Sequence, residues 1–255
     1  GARPESYADV RLGAELPRVL ENLRRLRRLR RPAHHPVPEI GIAFVAMQRN
    51  IADLPELLRL GKSLGVMHFH VSNLLPHTEP MSHEVLYAEA LRSITYSPSP
   101  WLRRLILPKM DLNEQTIGPF RAALDSGYNV IFAGTNLGLS NDVCTFIESG
   151  SMIVGWDGSV SPCSPLLYTH VGYLRGYERK SYRHIIGHID QRGLLDLWLD
   201  PEYVEYRERV HRFAFAPCSY CGGCEMSRDN LTDCFDNPMP ACGGCLWAQG
   251  VVACP

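Results

Sequence analysis

The first 143 residues of this 255-residue chain contain no cysteine, which excludes a thiolate metal site from more than half of its length. Charge of one sign is missing too. Lys plus Arg number 26 and Asp plus Glu 27, a formal net charge of −1, so nothing draws the whole protein toward nucleic acid or a membrane surface. Long apolar runs are absent: the longest, near Ile42 to Met47, is far too short to span a bilayer. No apolar signal segment precedes the fold, which favours reduced thiols in a cytoplasm over a secreted disulfide scaffold. The signatures G-x-G-x-x-G, the P-loop, G-x-S-x-G and H-E-x-x-H do not occur. An initiator methionine is also absent. The chain begins at Gly1 and its first residues read as the end of a loop feeding a helix, which points to an N-terminal truncation.

What is present is a dense set of thiols at the other end. Cys144, Cys163, Cys218, Cys221, Cys224, Cys234, Cys242, Cys245 and Cys254 are all candidate metal ligands. Two cysteines separated by two residues can bend around one ion or one cluster face, which is why C-x2-C recurs in zinc and iron–sulfur sites. That spacing occurs three times, at Cys218/Cys221, Cys221/Cys224 and Cys242/Cys245. A disulfide scaffold is the competing reading, but an odd count leaves one thiol over, and the chain far exceeds the size at which staples replace a core. With 45% hydrophobic residues it can bury a sizeable core, as one large domain or two ordinary ones.

Periodicity supplies an α/β first half. Arg24, Arg25, Arg27, Arg28, Arg30 and Arg31 interleave with Leu20, Leu23, Leu26 and Leu29, so residues 13–31 read as an amphipathic helix with a solvated basic face rather than a nucleic-acid patch. A Pro/His linker, Pro32 to Pro38, leads into an apolar strand over Glu39 to Met47. Asn50 and Asp53 then offer caps for a helix carrying Leu54, Leu57, Leu58 and Leu60, which closes at Gly65 and passes into a strand over Val66 to Val71. After a longer excursion, Leu74 to Lys109, a second cycle follows: a helix near Leu112 to Asp125, a stop at Ser126-Gly127, and a strand over Asn129 to Gly134. Repeated α-then-β units predict an α/β barrel or open parallel sheet with polar groups at the strand C-termini facing a ligand site. Those groups are Gln48 and Asn50, Ser72 and Asn73, and Thr135 and Asn136; each is also an ordinary cap or turn residue. His68 and His70 alternate along one strand, where a hydrogen-bonded core role is commoner than ligation.

In the second half, Ser151 to Cys163 reads as a hairpin with an Asp157-Gly158 turn, which folds Cys163 back toward Cys144. A helix over Leu194 to Phe213 follows, with Leu195, Trp198, Leu199 and Tyr203 expected to pack inward. Glycine pairs, Gly222-Gly223 and Gly243-Gly244, sit between the later cysteines and suit loops whose amides turn toward thiolate.

The pattern Cys144-x13-Gly158-x4-Cys163, a long gap, then Cys218-x2-Cys221 with further cysteines resembles the SPASM auxiliary-cluster domain of radical S-adenosylmethionine enzymes. The ending from Asp233 to Pro255 resembles a subgroup of metalloenzyme maturases, including those associated with tungsten-cofactor oxidoreductases. The resemblance implies an incomplete radical S-adenosylmethionine (β/α)6 barrel over residues 1–136 and a SPASM iron–sulfur domain over 137–255. It implies two auxiliary 4Fe-4S clusters, with Cys144 and Cys163 on the first, Cys218, Cys221 and Cys254 on the second, and Cys224, Cys234, Cys242 and Cys245 shared in an order the pattern leaves open. S-adenosylmethionine and a third 4Fe-4S cluster are implied only for a full-length form, because C-x3-C-x2-C, which holds the S-adenosylmethionine-cleaving cluster, is absent; Gln48, Asn50, Ser72 and Asn73 are the candidate cofactor-binding residues. The spacing after Cys221 also departs from the family's. Implied partners are a peptide, protein or metalloenzyme substrate and an electron donor such as ferredoxin or flavodoxin, with no nucleic acid and no membrane. The alternative is a non-catalytic zinc-ribbon-like module, since Cys218-x2-Cys221-x20-Cys242-x2-Cys245 approximates ribbon spacing; that reading leaves Cys144, Cys163, Cys224, Cys234 and Cys254 without a task.

Overall fold

The computed structural model describes residues 1–30, 38–93, 110–127, 130–132, 143–221 and 224–253. The expectations for the Pro/His linker, for Thr135 and Asn136, for Gly222-Gly223 and for Cys254 fall outside them, as does the expected boundary at 136/137.

Two helices open the chain, α1 (Pro4–Val10) and α2 (Leu16–Arg30). The expected leucine stripe of α2 is used for three of its four members: Leu20, Leu23 and Leu26 pack on the core, while Leu29 is left exposed. On the opposite face Arg24, Arg25 and Arg28 are exposed, and Arg27 turns back to donate to the Ser63 carbonyl at the end of the next helix. Strand β1 (Gly41–Ala46), helix α3 (Leu54–Leu64) and strand β2 (His68–Asn73) make the first βαβ unit. Two short helices, α4 (Glu79–Ser82) and α5 (Ala88–Ser93), then α6 (Glu114–Leu124), precede strand β3 (Val130–Phe132). The sheet is parallel in the order β1-β2-β3. Its core is built by Phe44 and Ala46 from β1, Phe69 and Val71 from β2, and Leu54, Leu57, Leu58 and Leu64 from α3.

Strand β2 begins two residues later than the hydrophobic run alone suggests, so Ser72 and Asn73 lie in the strand, buried, instead of in a loop beyond it. The pairing register is the cause: β1 runs from Gly41 opposite His68 to Ala46 opposite Asn73. Asn113 caps α6 by accepting from the amides of Gln115 and Thr116.

The second half is built from small antiparallel pieces. Helix α7 (Thr145–Glu148) is followed by strands β4 (Ile153–Val154) and β5 (Ser159–Ser161), which form the expected hairpin. Gly158, at φ +86°, takes the left-handed turn position. A second hairpin, β6 (His170–Leu174) and β7 (Tyr177–Ser181), was not foreseen, and β8 (Gly187–His188) adds to the β4–β5 sheet. The single helix expected over 194–213 is in fact two, α8 (Leu194–Trp198) and α9 (Pro201–Arg212), because Pro201 cannot continue the first and Asp200 caps the second by accepting from the Glu202 amide. The break rotates the apolar face. Leu197, Tyr203, Tyr206 and Val210 are buried, whereas Leu195 and Leu199, expected inward, are 68% and 60% exposed.

The two halves meet at the C-terminal ends of the parallel strands. Asn73 Nδ2 donates to the Val251 carbonyl at 2.9 Å, and the Ala253 amide donates to Ser72 Oγ at 3.0 Å. Around this seam Tyr87 and Leu91 pack with Leu174, Leu246, Val251 and Val252. In open α/β sheets the C-terminal strand edge is where ligands bind, and here the cysteine-bearing half lies against it. Among the described residues no helix is long and apolar enough to cross a membrane.

Candidate metal centre

Four cysteines far apart in sequence line one cavity: Cys144, Cys163, Cys242 and Cys245, together with Tyr206 and Arg179. Cys144 stands at the start of α7, and Cys163 follows β5. The β4–β5 turn is fixed by Asp157, whose carboxylate accepts from the Ser159 amide and hydroxyl at 3.1 and 2.6 Å. Cys242 and Cys245 lie on one tight turn, the Cys245 amide donating to the Cys242 carbonyl at 3.0 Å. Helix α9 forms the floor. Tyr203 and Tyr206 stack with ring centroids 6.2 Å apart, and the Tyr206 hydroxyl sits 3.6 Å from Cys242 Sγ.

These thiols are hard to ionise alone. Burial pushes Cys144 up to about 11, opposed by the Ile147 amide and reinforced by Cys245. Burial and the neighbouring Cys245, Cys242 and Cys144 raise Cys163 well above the ordinary thiol value. Burial, then Cys245, takes Cys242 up to about 12. Four thiolates packed together in an apolar pocket repel one another and lack water; bound iron removes that penalty, so the donor set fits a thiolate-ligated cluster.

The other four described cysteines form a second group. Cys218 and Cys221 bracket one helical turn, α10 (Cys218–Cys221), and Cys224 opens the short 3-10 turn Glu225–Arg228. Burial takes Cys218 up to about 11; Arg179 opposes the rise, while Asp233, Cys224 and Cys234 add to it. Cys221, Cys224 and Cys234 are exposed. The buried Asp233 carboxylate fixes the loop entering Cys234 by accepting from the amides of Ala216, Phe235 and Asn237 and from the Asn237 side chain.

The two groups touch through backbone. At Gly243 a Cβ would overlap the Ala216 carbonyl oxygen, so only glycine lets the Cys242–Cys245 turn reach the segment entering Cys218. The eight described cysteines are all free. A single zinc ion would need its sulfurs gathered round one point, and among the described residues no three His, Cys, Asp or Glu side chains are grouped to hold one ion. A four-iron cluster instead binds each thiolate to a different iron, which suits sulfurs spread round a cavity wall.

The four candidate cofactor residues of the first half are engaged by main chain. Asn50 accepts from the Met47 amide and donates to the Val45 carbonyl, closing the turn after β1. The Gln48 side chain reaches the Val85 carbonyl at 3.4 Å. Ser72 and Asn73 hold the segment 251–253. His68 pairs with Glu39 at the surface, and burial holds His70 below the usual imidazole value. Sequence reasoning missed Arg179, Tyr206 and Asp233, none of which carries a local signature. Gly243 had a signal in the glycine pair between cysteines, although its role is close backbone approach.

Residues 144–225 match the family model of the SPASM iron–sulfur cluster-binding domain. The match begins at Cys144 and ends before Cys234, Cys242 and Cys245, which the fold brings back to it. The chain is similar to the tungsten-containing aldehyde ferredoxin oxidoreductase cofactor-modifying protein of Pyrococcus furiosus, with 28% identity over 262 residues covering 99% of this chain. It spans 66% of that relative's length. No solved structure matches. Residues 144–225 are thus similar to an iron–sulfur cluster-binding domain, and nearly the whole chain is similar to a cofactor-modifying protein.

Proposed function

We propose that this chain is the cluster-bearing portion of a radical S-adenosylmethionine maturase that acts on a metalloenzyme or its cofactor. The observation that carries the reading is the convergence of Cys144 and Cys163 with Cys242 and Cys245 on one cavity. These four hold one 4Fe-4S cluster; the ligands of the other come from Cys218, Cys221, Cys224 and Cys234, together with Cys254, which the family resemblance assigns to it. Such groups supply one-electron transfer or a coordination point for substrate. The chain's own contribution is to present eight thiolates in two sets, to keep water from the inner one with α9 and Tyr206, and to hold both against the C-terminal edge of the parallel sheet. That sheet belongs to a radical S-adenosylmethionine barrel whose C-x3-C-x2-C segment lies in a full-length form, where ferredoxin or flavodoxin is the fitting electron donor.

Anaerobically reconstituted protein should be brown and carry on the order of eight irons and as many sulfides per chain. Cys144→Ala and Cys245→Ala should each lose about half the iron. Tightly held zinc without sulfide would overturn the reading in favour of the ribbon module. The reduced 255-residue protein should not release 5′-deoxyadenosine, whereas a version extended through an upstream C-x3-C-x2-C should; release by the short chain would remove the catalytic cluster from the missing segment.

A further inference from the structure

Strand β7 carries Arg179 into the wall of the cavity lined by Cys144, Cys163, Cys242 and Cys245. The side chain is half-buried, and it donates three hydrogen bonds to neutral acceptors. Nε donates to the Ser227 carbonyl at 3.1 Å, Nη2 to the Asp229 carbonyl at 2.9 Å, and Nη1 to Ser181 Oγ at 3.1 Å. Those two carbonyls belong to the segment that follows Cys224. The other face of the guanidinium lies against Gly244, where a Cβ would come within 2.8 Å of Nη2 and 3.0 Å of Cζ. One cation therefore touches the turn between Cys242 and Cys245 and the segment leaving Cys224.

Among the described residues its charge meets no carboxylate. Arg3, Arg49 and Arg192 pair with acidic side chains, but among the described residues none lies within ion-pair distance of Arg179. The nearby acids are engaged elsewhere: Asp229 accepts from the Leu231 amide, and Asp233 accepts from Ala216, Phe235 and Asn237. Holding a half-buried cation on neutral partners is unfavourable unless a negative group lies close by. Its guanidinium stands in the wall of the cavity lined by one cysteine set, against Gly244, and on the segment that leaves Cys224 of the other, so the two thiolate sets are the negative groups that the described residues place beside it.

We infer that Arg179 is a positioning residue acting as the shared counter-charge of the two cysteine sets, raising the reduction potentials of both bound clusters together. The inference rests on the cluster reading above. Each cluster takes one electron from the donor, dithionite in the test below, and gains one negative charge with no bond made or broken in the protein. A fixed positive charge beside it stabilises the reduced form more than the oxidised form. Because guanidinium stays protonated at every working pH, the effect should be constant across the neutral range.

The test is a dithionite titration followed by electron paramagnetic resonance on reconstituted wild-type, Arg179→Gln and Arg179→Lys proteins, with iron and sulfide counted first. In R179Q both signals should keep their intensity, while the reduced-to-oxidised ratio at a given potential falls roughly tenfold, a shift of about 59 mV to more negative values for a one-electron couple. R179K, which keeps the charge and loses the fork, should stay near wild type. Unchanged potentials in R179Q, a shift at one cluster only, or equal shifts in R179K and R179Q would overturn the inference and leave the cluster reading standing. If R179Q loses iron, R179K decides: full iron at wild-type potentials supports the counter-charge, and loss of iron there as well assigns Arg179 a purely structural role. Wild-type protein that binds no iron overturns the cluster reading and this inference together.

Discussion

The two cysteine groups differ in how they are made. Cys144, Cys163, Cys242 and Cys245 are gathered by packing across about a hundred residues of chain, on an apolar floor of Tyr203, Tyr206 and Val210. Cys218, Cys221, Cys224 and Cys234 fall within one short stretch, three of them exposed. The inner group is a product of the tertiary fold, and the outer group is close to a local motif. Ligand binding at the inner group therefore reports on the folding of the entire second half, whereas binding at the outer group is more nearly its own event.

The largest difference should appear on ligand removal. Cys163→Ala should lose about half the iron and lower stability by about 4 kcal/mol or more, because it removes a cluster from the centre of a core. Cys221→Ala should lose a similar share of iron with a much smaller fall in thermal midpoint. Equal losses of stability in calorimetry of the two anaerobic proteins would break the distinction between a fold-built and a locally built site.

Gly243→Ala tests the point where the groups join. The added methyl collides with the Ala216 carbonyl oxygen, a backbone atom with little room to yield. A cost on the order of 3 kcal/mol is expected, with iron lost from both groups. Iron lost from one group alone, counted after gel filtration, would show that the two loops are independent.

A smaller and one-sided effect belongs to Asp233→Asn. The substitution places an NH2 where one carboxylate oxygen now accepts main-chain amides, costing about 2 kcal/mol. The outer group should become easier to strip with chelator while the inner group keeps its iron. Faster loss from the inner group would show that this loop supports both.

Much of this was legible in the sequence, and the reasons differ by region. The β1–α3–β2 unit follows from apolar periodicity and the stop at Gly65, because there local preference and burial agree. The β4–β5 hairpin was readable from Asp157-Gly158. The grouping of thiols was not, since C-x2-C spacing fixes which cysteines lie near in sequence and says nothing of which distant pair joins them. Cys242 and Cys245 meet Cys144 and Cys163 over the common floor that α9 supplies, while Gly243 lets the same turn press on the segment entering Cys218. The β6–β7 hairpin was missed because Arg175-Gly176 interrupts a mixed polar stretch without clean alternation, and Arg179 was missed with it. Leu195 and Leu199 were misplaced because one helical period was carried across Pro201.

The subtlest probe of the comparison is Tyr206→Phe. The phenol ring stacks on Tyr203, so removing the hydroxyl leaves the packing of α9 intact and deletes only its contact with Cys242 Sγ at 3.6 Å. The stability change should stay below about 1 kcal/mol, the net worth of one ordinary hydrogen bond. Hydrogen bonds to cluster-ligating sulfur help set reduction potential. Donation from Tyr206 stabilises the extra electron density of the reduced form, so its loss should move the inner potential to more negative values. No described contact links this hydroxyl to Cys218, Cys221, Cys224 or Cys234, and the outer potential should stay where it is. A dithionite titration resolving both signals gives the answer: a shift confined to one signal separates a residue of the inner pocket from Arg179, whose removal should move both, and equal movement of the two signals in Tyr206→Phe would mean that the pockets share one electrostatic environment.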